Sequence, residues 1–204
     1  MKRDPAQAGD YFGVQNLPFA SSEIRGFNGL GKGISGTAKN AVGEGGAMAG
    51  FDPCCMVYSG PVQASVAGGT IALAAPALGV ANGTFIRNKD DCVTFGQATA
   101  GGFLVSDQFG GCDMTILRAP DGAYWGAHVY SSASCRAAVA APPHGWSVIG
   151  TWSSNGYAAQ HPDCGALFVF AFFEGGKVVI VTVGGGGYPI AVRHVGIAAM
   201  FDLP

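Results

Sequence analysis

Charge is scarce in this chain. Only 12% of its 204 residues are Asp, Glu, Lys or Arg, about half the share of an average soluble domain, which excludes a polar disordered chain and a highly charged helical rod. The 11 basic and 13 acidic residues leave a formal charge of −2 with no basic run, so binding to nucleic acid or to an anionic membrane through a charged face is not expected. Long apolar runs are missing too. The stretch 166–173 is far shorter than the roughly 20 residues of a membrane-spanning helix. Lys2 and Arg3 lead into Asp, Pro and Gln rather than into an apolar segment, so a standard cleaved signal peptide is not expected either, and any export is by a non-classical route. No CxxC pair occurs among the six cysteines at 54, 55, 92, 112, 135 and 164. Six cysteines are few for a disulfide scaffold of this length and are read as reduced and mostly buried, with no metal site and no cofactor.

What the chain does have is apolar bulk and glycine. Hydrophobic residues make up 49%, enough for a substantial core, and 34 residues are Gly, which disfavours long helices at roughly 1 kcal/mol per interior position. Residues 1–50 are glycine-rich with few large apolar side chains and read as an arm or linker; the alternative there is a loosely wound helix over 33–48.

From residue 51 to 204 the pattern is one β-rich domain. Short apolar runs at 55–58, 61–66, 70–74, 83–87, 92–95 and 102–106 recur about every ten residues, as successive strands would. Two further strand-like segments, DMTILRA and AYWGAHVYS, flank Pro120, Asp121 and Gly122, a strong hairpin signal. Residues 131–141 form the best helix candidate, capped by Ser132 or Ser134 and stopped by Pro142 and Pro143. A second hairpin joins ALFVFAFF and KVVIVTV, whose arms are apolar on both faces and therefore central. The run 184–187 reads as a flexible glycine loop, and His194 falls in or beside a final strand. The expected class is α+β: a β-sandwich of mixed sheets with a few flanking helices.

The chemistry concentrates between residues 105 and 131. Cys112 follows Gly110 and Gly111 and precedes a strand, a setting in which a thiol and nearby backbone N–H groups can face one small space. The N–H groups around Gly111 and Cys112 would then supply the oxyanion hole, and Gly110 and Gly111 leave room for substrate. A thiol needs a neighbour that stabilises its thiolate, usually His. Folding 113–130 about Asp121 places Cys112 and His128 close across the hairpin, near the ~5 Å of directly opposed residues.

The string FGGC at 109–112, followed by strand, turn and His128, resembles the catalytic core of the glutamine deamidases that include cytotoxic necrotizing factor, Burkholderia lethal factor and the chemoreceptor deamidase. Some members carry a Thr six residues before the Cys; here Ser106 holds a hydroxyl at that place, and Gly110 stands where a Ser is common. The resemblance implies that Cys112 is the nucleophile, His128 the base and Ser106 a third member orienting the imidazole. It implies conversion of a target protein's Gln to Glu by a toxin or effector acting in the cytosol of a target cell, with a host GTPase or translation factor as the class of partner. An amine in place of water would make the same site a transglutaminase. The alternative is a non-enzymatic β-sandwich module that binds protein or carbohydrate and uses its cysteines for packing.

Overall fold

A computed structural model describes residues 34–36, 42–67, 70–76, 81–187 and 190–204; most of the glycine-rich segment 1–50 lies outside them. The β-rich expectation holds. The described strands are β1 (Ile34–Gly36), β2 (Gly43–Ala47), β3 (Cys55–Ala67), β4 (Thr70–Ala74), β5 (Gly83–Ile86), β6 (Val93–Gln97), β7 (Phe103–Ser106), β8 (Asp113–Arg118), β9 (Tyr124–Val129), β10 (Ser147–Ser153), β11 (Ala166–Glu174), β12 (Lys177–Gly186) and β13 (Ala191–Asp202). Two short helices accompany them, α1 (Ala133–Ala140) and α2 (Tyr157–Gln160). Where the alternative helix over 33–48 is described, it is replaced by strand: β2 pairs with β3, and β1 runs parallel to β4.

The sheet runs β10-β8-β9-β6-β3-β5-β7-β11-β12-β13, with β1, β2 and β4 attached beside β3. Its two ends approach each other, because Phe201 of β13 lies directly over Gly150 of β10, closer than a side chain at that position would tolerate. The result is a nearly closed, barrel-like sheet rather than the clearly separate layers of a sandwich.

Strand alternation sorts the core by face. Ile86, Leu104, Met114, Ile116, Val169, Ala171 and Ile180 share the inner face, while Phe85, Phe103, Val105, Phe168, Phe170 and Phe172 form a second cluster with Val62, Ile71 and Leu73 from β3 and β4. A third cluster lies under α1, where Cys135 and Val139 meet Val93, Phe95, Leu117 and Val129. This helix starts where the sequence places it: Ser132 is the N-cap and its hydroxyl accepts from the Cys135 N–H. The strands β11 and β12 are central and covered on both faces, as their two-sided apolar pattern requires.

Two departures have physical causes. Gly184 and Gly186 belong to β12 rather than to a flexible loop; a Cβ on Gly184 would collide with the Tyr157 hydroxyl and the Cys164 sulfur, so glycine there makes room for packing. The strand β10 gives no period-two signal in the sequence, since its residues are mostly exposed or half-buried. Glycine also matters inside the barrel. A Cβ on Gly126 would sit 2.6 Å from Leu104 Cδ1 and 3.0 Å from Ile86 Cδ1. Gly126→Ala is therefore expected to lower stability by about 1–3 kcal/mol in urea denaturation, the usual cost of overpacking.

Candidate active site

The predicted hairpin forms. β8 and β9 pair antiparallel, and the turn is closed by Ala119 N–H to Ala123 O and Gly122 N–H to Ala119 O. Its register differs from expectation by two residues. Met114, not Cys112, lies opposite His128, because pairing symmetric about Asp121 brings Arg118 to Tyr124 and Asp113 to Val129. Cys112 is thus a diagonal neighbour of His128, at a spacing of about 7–8 Å between such backbone positions, with the same strand-face parity. No hydrogen bond joins the two: His128 Nε2 is buried without a partner.

Ser106 and His128 come together as expected. They lie on β7 and β9, strands separated by three others in the sheet, and meet through the interior with Ser106 Oγ 2.8 Å from His128 Nδ1. Both residues are fully buried. Phe109 stacks on the imidazole at 4.2 Å between centroids and meets Trp152 edge-on at 6.0 Å. The ring is therefore fixed in plane by the hydroxyl and in tilt by the Phe. Where Nδ1 carries the proton and donates to Ser106 Oγ, Nε2 is the basic atom. Opposite His128 on β6 stands Thr94, whose hydroxyl is also buried without a partner.

Burial sets the electrostatics. It pushes the His128 pKa down to about 3, against a smaller opposing influence of Asp113, so the imidazole is neutral at physiological pH. Burial likewise raises the Cys112 pKa, opposed by the backbone N–H groups of Gly110 and Ser131, raised further by Asp113 and lowered by Arg136. For His128 the folded pKa lies below the unfolded value near 6.5. The unfolded chain alone binds this proton between about pH 6.5 and 3, so the contribution is fully present above pH 6.5 and is lost on acidification through that window. His128→Gln is expected to remove about 2–3 kcal/mol of the stability difference between pH 7 and pH 4.5, read by urea denaturation at both pH values.

The sequence did not point to the groups that hold the loop bearing Cys112. Ser154 donates from both its N–H (3.0 Å) and its hydroxyl (2.8 Å) to the Cys112 carbonyl, and its hydroxyl accepts from the Gly111 N–H at 2.9 Å. Arg136 on α1 donates Nε to Asp113 Oδ2 at 2.7 Å, Nη2 to Gly111 O at 2.7 Å and Nη1 to Ser131 O at 2.8 Å. Together they tie the residues on either side of the thiol to α1 and to the end of β10. A partial signal existed for Arg136, the one basic residue of the helix candidate; none existed for Ser154, which is 42 positions from Cys112. The Gly111 N–H is engaged by Ser154, and φ at Gly111 is +104°, a conformation that favours glycine. The backbone N–H groups of Gly110 and Ser131 favour the Cys112 thiolate.

Two clefts flank this loop. One, of about 410 Å³, is lined by Gln108, Phe109, Gly110, Leu167, Phe168 and Ile190, among others. The other, about 370 Å³ and more polar, includes Asn155, Tyr157, His161 and His194. The rings of His161 and His194 meet there at 3.9 Å between centroids, tilted by 33°, and burial followed by proximity to His161 lowers the His194 pKa. Among the described residues no group of three His, Cys, Asp or Glu side chains is arranged to hold a metal ion, and the cysteines carry free thiols. No described helix is long and apolar enough to cross a membrane.

Compared with known proteins, the sequence matches no family model and no curated protein.

Proposed function

We propose that this protein is a glutamine deamidase acting on another protein through Cys112, His128 and Ser106. The observation that carries the reading is the buried Ser106–His128 hydrogen bond of 2.8 Å, made through the barrel interior beside the loop that bears a glycine-flanked cysteine. A structural serine and histidine so buried would ordinarily satisfy all their polar atoms; here Nε2 is left over.

The chemistry is acyl transfer. The Cys112 thiol gives its proton to the imidazole as sulfur attacks the carboxamide carbon of a Gln side chain. The resulting oxyanion is stabilised by the N–H groups of Gly110 and Ser131, and ammonia leaves with a proton from His128. Water then attacks the thioester, His128 accepts its proton, and Glu and the free thiol are released. An amine in place of water would give transamidation. The resemblance supports a toxin or effector delivered by a non-classical route into a target cell, with a GTPase or translation factor as the class of substrate.

The test is intact-mass analysis of candidate target proteins after exposure to the wild-type chain. One added unit of about 1 Da per modified Gln is expected without any chain cleavage, and peptide mapping should give Glu at a single position. The second reading, a non-enzymatic binding module, draws on the exposed Ile197 and Met200 of β13, 45% and 58% accessible. It predicts unchanged target masses together with loss of partner binding in an Ile197→Ser, Met200→Ser variant.

A further inference from the structure

We infer that the 410 Å³ cleft beside the nucleophile loop receives an extended polypeptide segment, which adds as a short strand to β11 and presents its glutamine to Cys112. The last step rests on the deamidase reading; the docking itself rests on the sheet.

The strand β11 pairs with β12 along its whole length, Ala166 to Gly185 through Glu174 to Lys177. On its other side it pairs with β7 only from Val169 to Phe172. β7 ends at Ser106, and the chain leaves the sheet through Asp107 and Gln108, the latter at φ +64°. Among the described residues, Ala166, Leu167 and Phe168 thus have a strand neighbour on one side alone. Backbone N–H and C=O groups alternate sides along a strand, so within three consecutive residues at least one such pair faces the side that β7 has vacated. An unpaired edge of this kind is a template for another strand.

The cleft lies at this edge. Leu167, Phe168 and Ile190 line it on one side, Gln108, Phe109 and Gly110 on the other. No basic side chain is among its lining residues, which disfavours a phosphate or nucleotide. Apolar walls and a free backbone edge suit an extended peptide, whose main chain supplies the complementary donors and acceptors. Space is open at Gly110, two residues before the buried thiol: nothing stands within 4 Å of where a Gly110 Cβ would be, and the Gly110 N–H favours the Cys112 thiolate. Under the deamidase reading, a glutamine side chain enters over Gly110, and the buried Cys112 loop opens by a small shift to receive it.

The probe is a blocked peptide of alternating Thr and Val with a central Gln, titrated to millimolar concentration into the full chain carrying Cys112→Ser, with amide hydrogen exchange followed residue by residue. The expected result is slowing of exchange by about tenfold or more at one or two of the amides of 166–168. The same peptide N-methylated at alternate backbone amides should give no such slowing. Four results would overturn the proposal: no binding, binding without protection at 166–168, equal protection by the N-methylated peptide, or full protection in the free chain, which would put this chain's own residues on the edge. Incubating the wild type with the same peptide separates the two readings. Protection without a 1 Da mass gain removes the deamidase reading alone, and a mass gain without protection removes the docking mode alone.

Discussion

Cys112→Ser is expected, under the deamidase reading, to abolish deamidation, lowering kcat/KM for the target protein by roughly 10⁴-fold while leaving the urea midpoint close to that of the wild type. The size follows from the thioester: a serine hydroxyl is a far weaker nucleophile than a thiol in the same place. His128→Ala removes the proton carrier and should cost about 10²–10⁴-fold. Ser106 acts through His128, so its substitution is diagnostic of positioning. Ser106→Ala should lower kcat by about tenfold and displace the pH profile, since Nδ1 loses its partner at 2.8 Å; Ser106→Thr keeps the hydroxyl and should restore the profile. Unchanged target masses with wild type, Cys112→Ser and His128→Ala alike would end the catalytic reading. Full activity in Cys112→Ser would reassign the nucleophile.

The largest stability effect is expected at Arg136. Its guanidinium meets the buried Asp113 carboxylate at 2.7 and 3.3 Å and two backbone carbonyls besides. Asp113 is only 8% exposed whereas Arg136 is 36% exposed. Removing the arginine leaves a carboxylate in a site that water hardly reaches, which costs more than the pair itself contributes. Because the Arg end is partly solvated, the expected loss for Arg136→Ala is about 2–3 kcal/mol rather than the 3–5 of a fully buried pair. Arg136→Lys should recover only a fraction, since a single ammonium cannot span a carboxylate and two carbonyls. Adding Asp113→Asn to Arg136→Ala should return about 1 kcal/mol by removing the stranded charge. Additive losses from the two substitutions in a double-mutant cycle would show that the pair is uncoupled. Under the catalytic reading, Arg136→Ala also lowers activity beyond its effect on the folded fraction, because Gly111 and Ser131 on either side of the thiol lose their common anchor.

Much of this was legible in the linear chain because it depends on residues close together in it. The Pro120-Asp121-Gly122 turn, the Ser132 cap and the two-sided apolar arms of β11 and β12 are local signals: backbone preference and burial period act within a few residues, and each element appears where those signals place it. The spacing of Ser106, Cys112 and His128 marked the segment to inspect, and Ser106 does reach His128.

What folding decided is everything carried by long-range approach. The two-residue difference in register moved Met114 opposite His128 and left Cys112 on the diagonal, a result of turn geometry that apolar patterning on one face could not distinguish, since a shift of two residues keeps every side chain on its face. The near-closure of the sheet follows from Phe201 meeting Gly150, and the loop bearing Cys112 is held by Ser154 and Arg136, residues 42 and 24 positions away from Cys112. Neither contact leaves a trace in composition or periodicity, because a hydrogen bond between distant segments is specified by where the whole sheet brings their backbones, not by either segment's own preference.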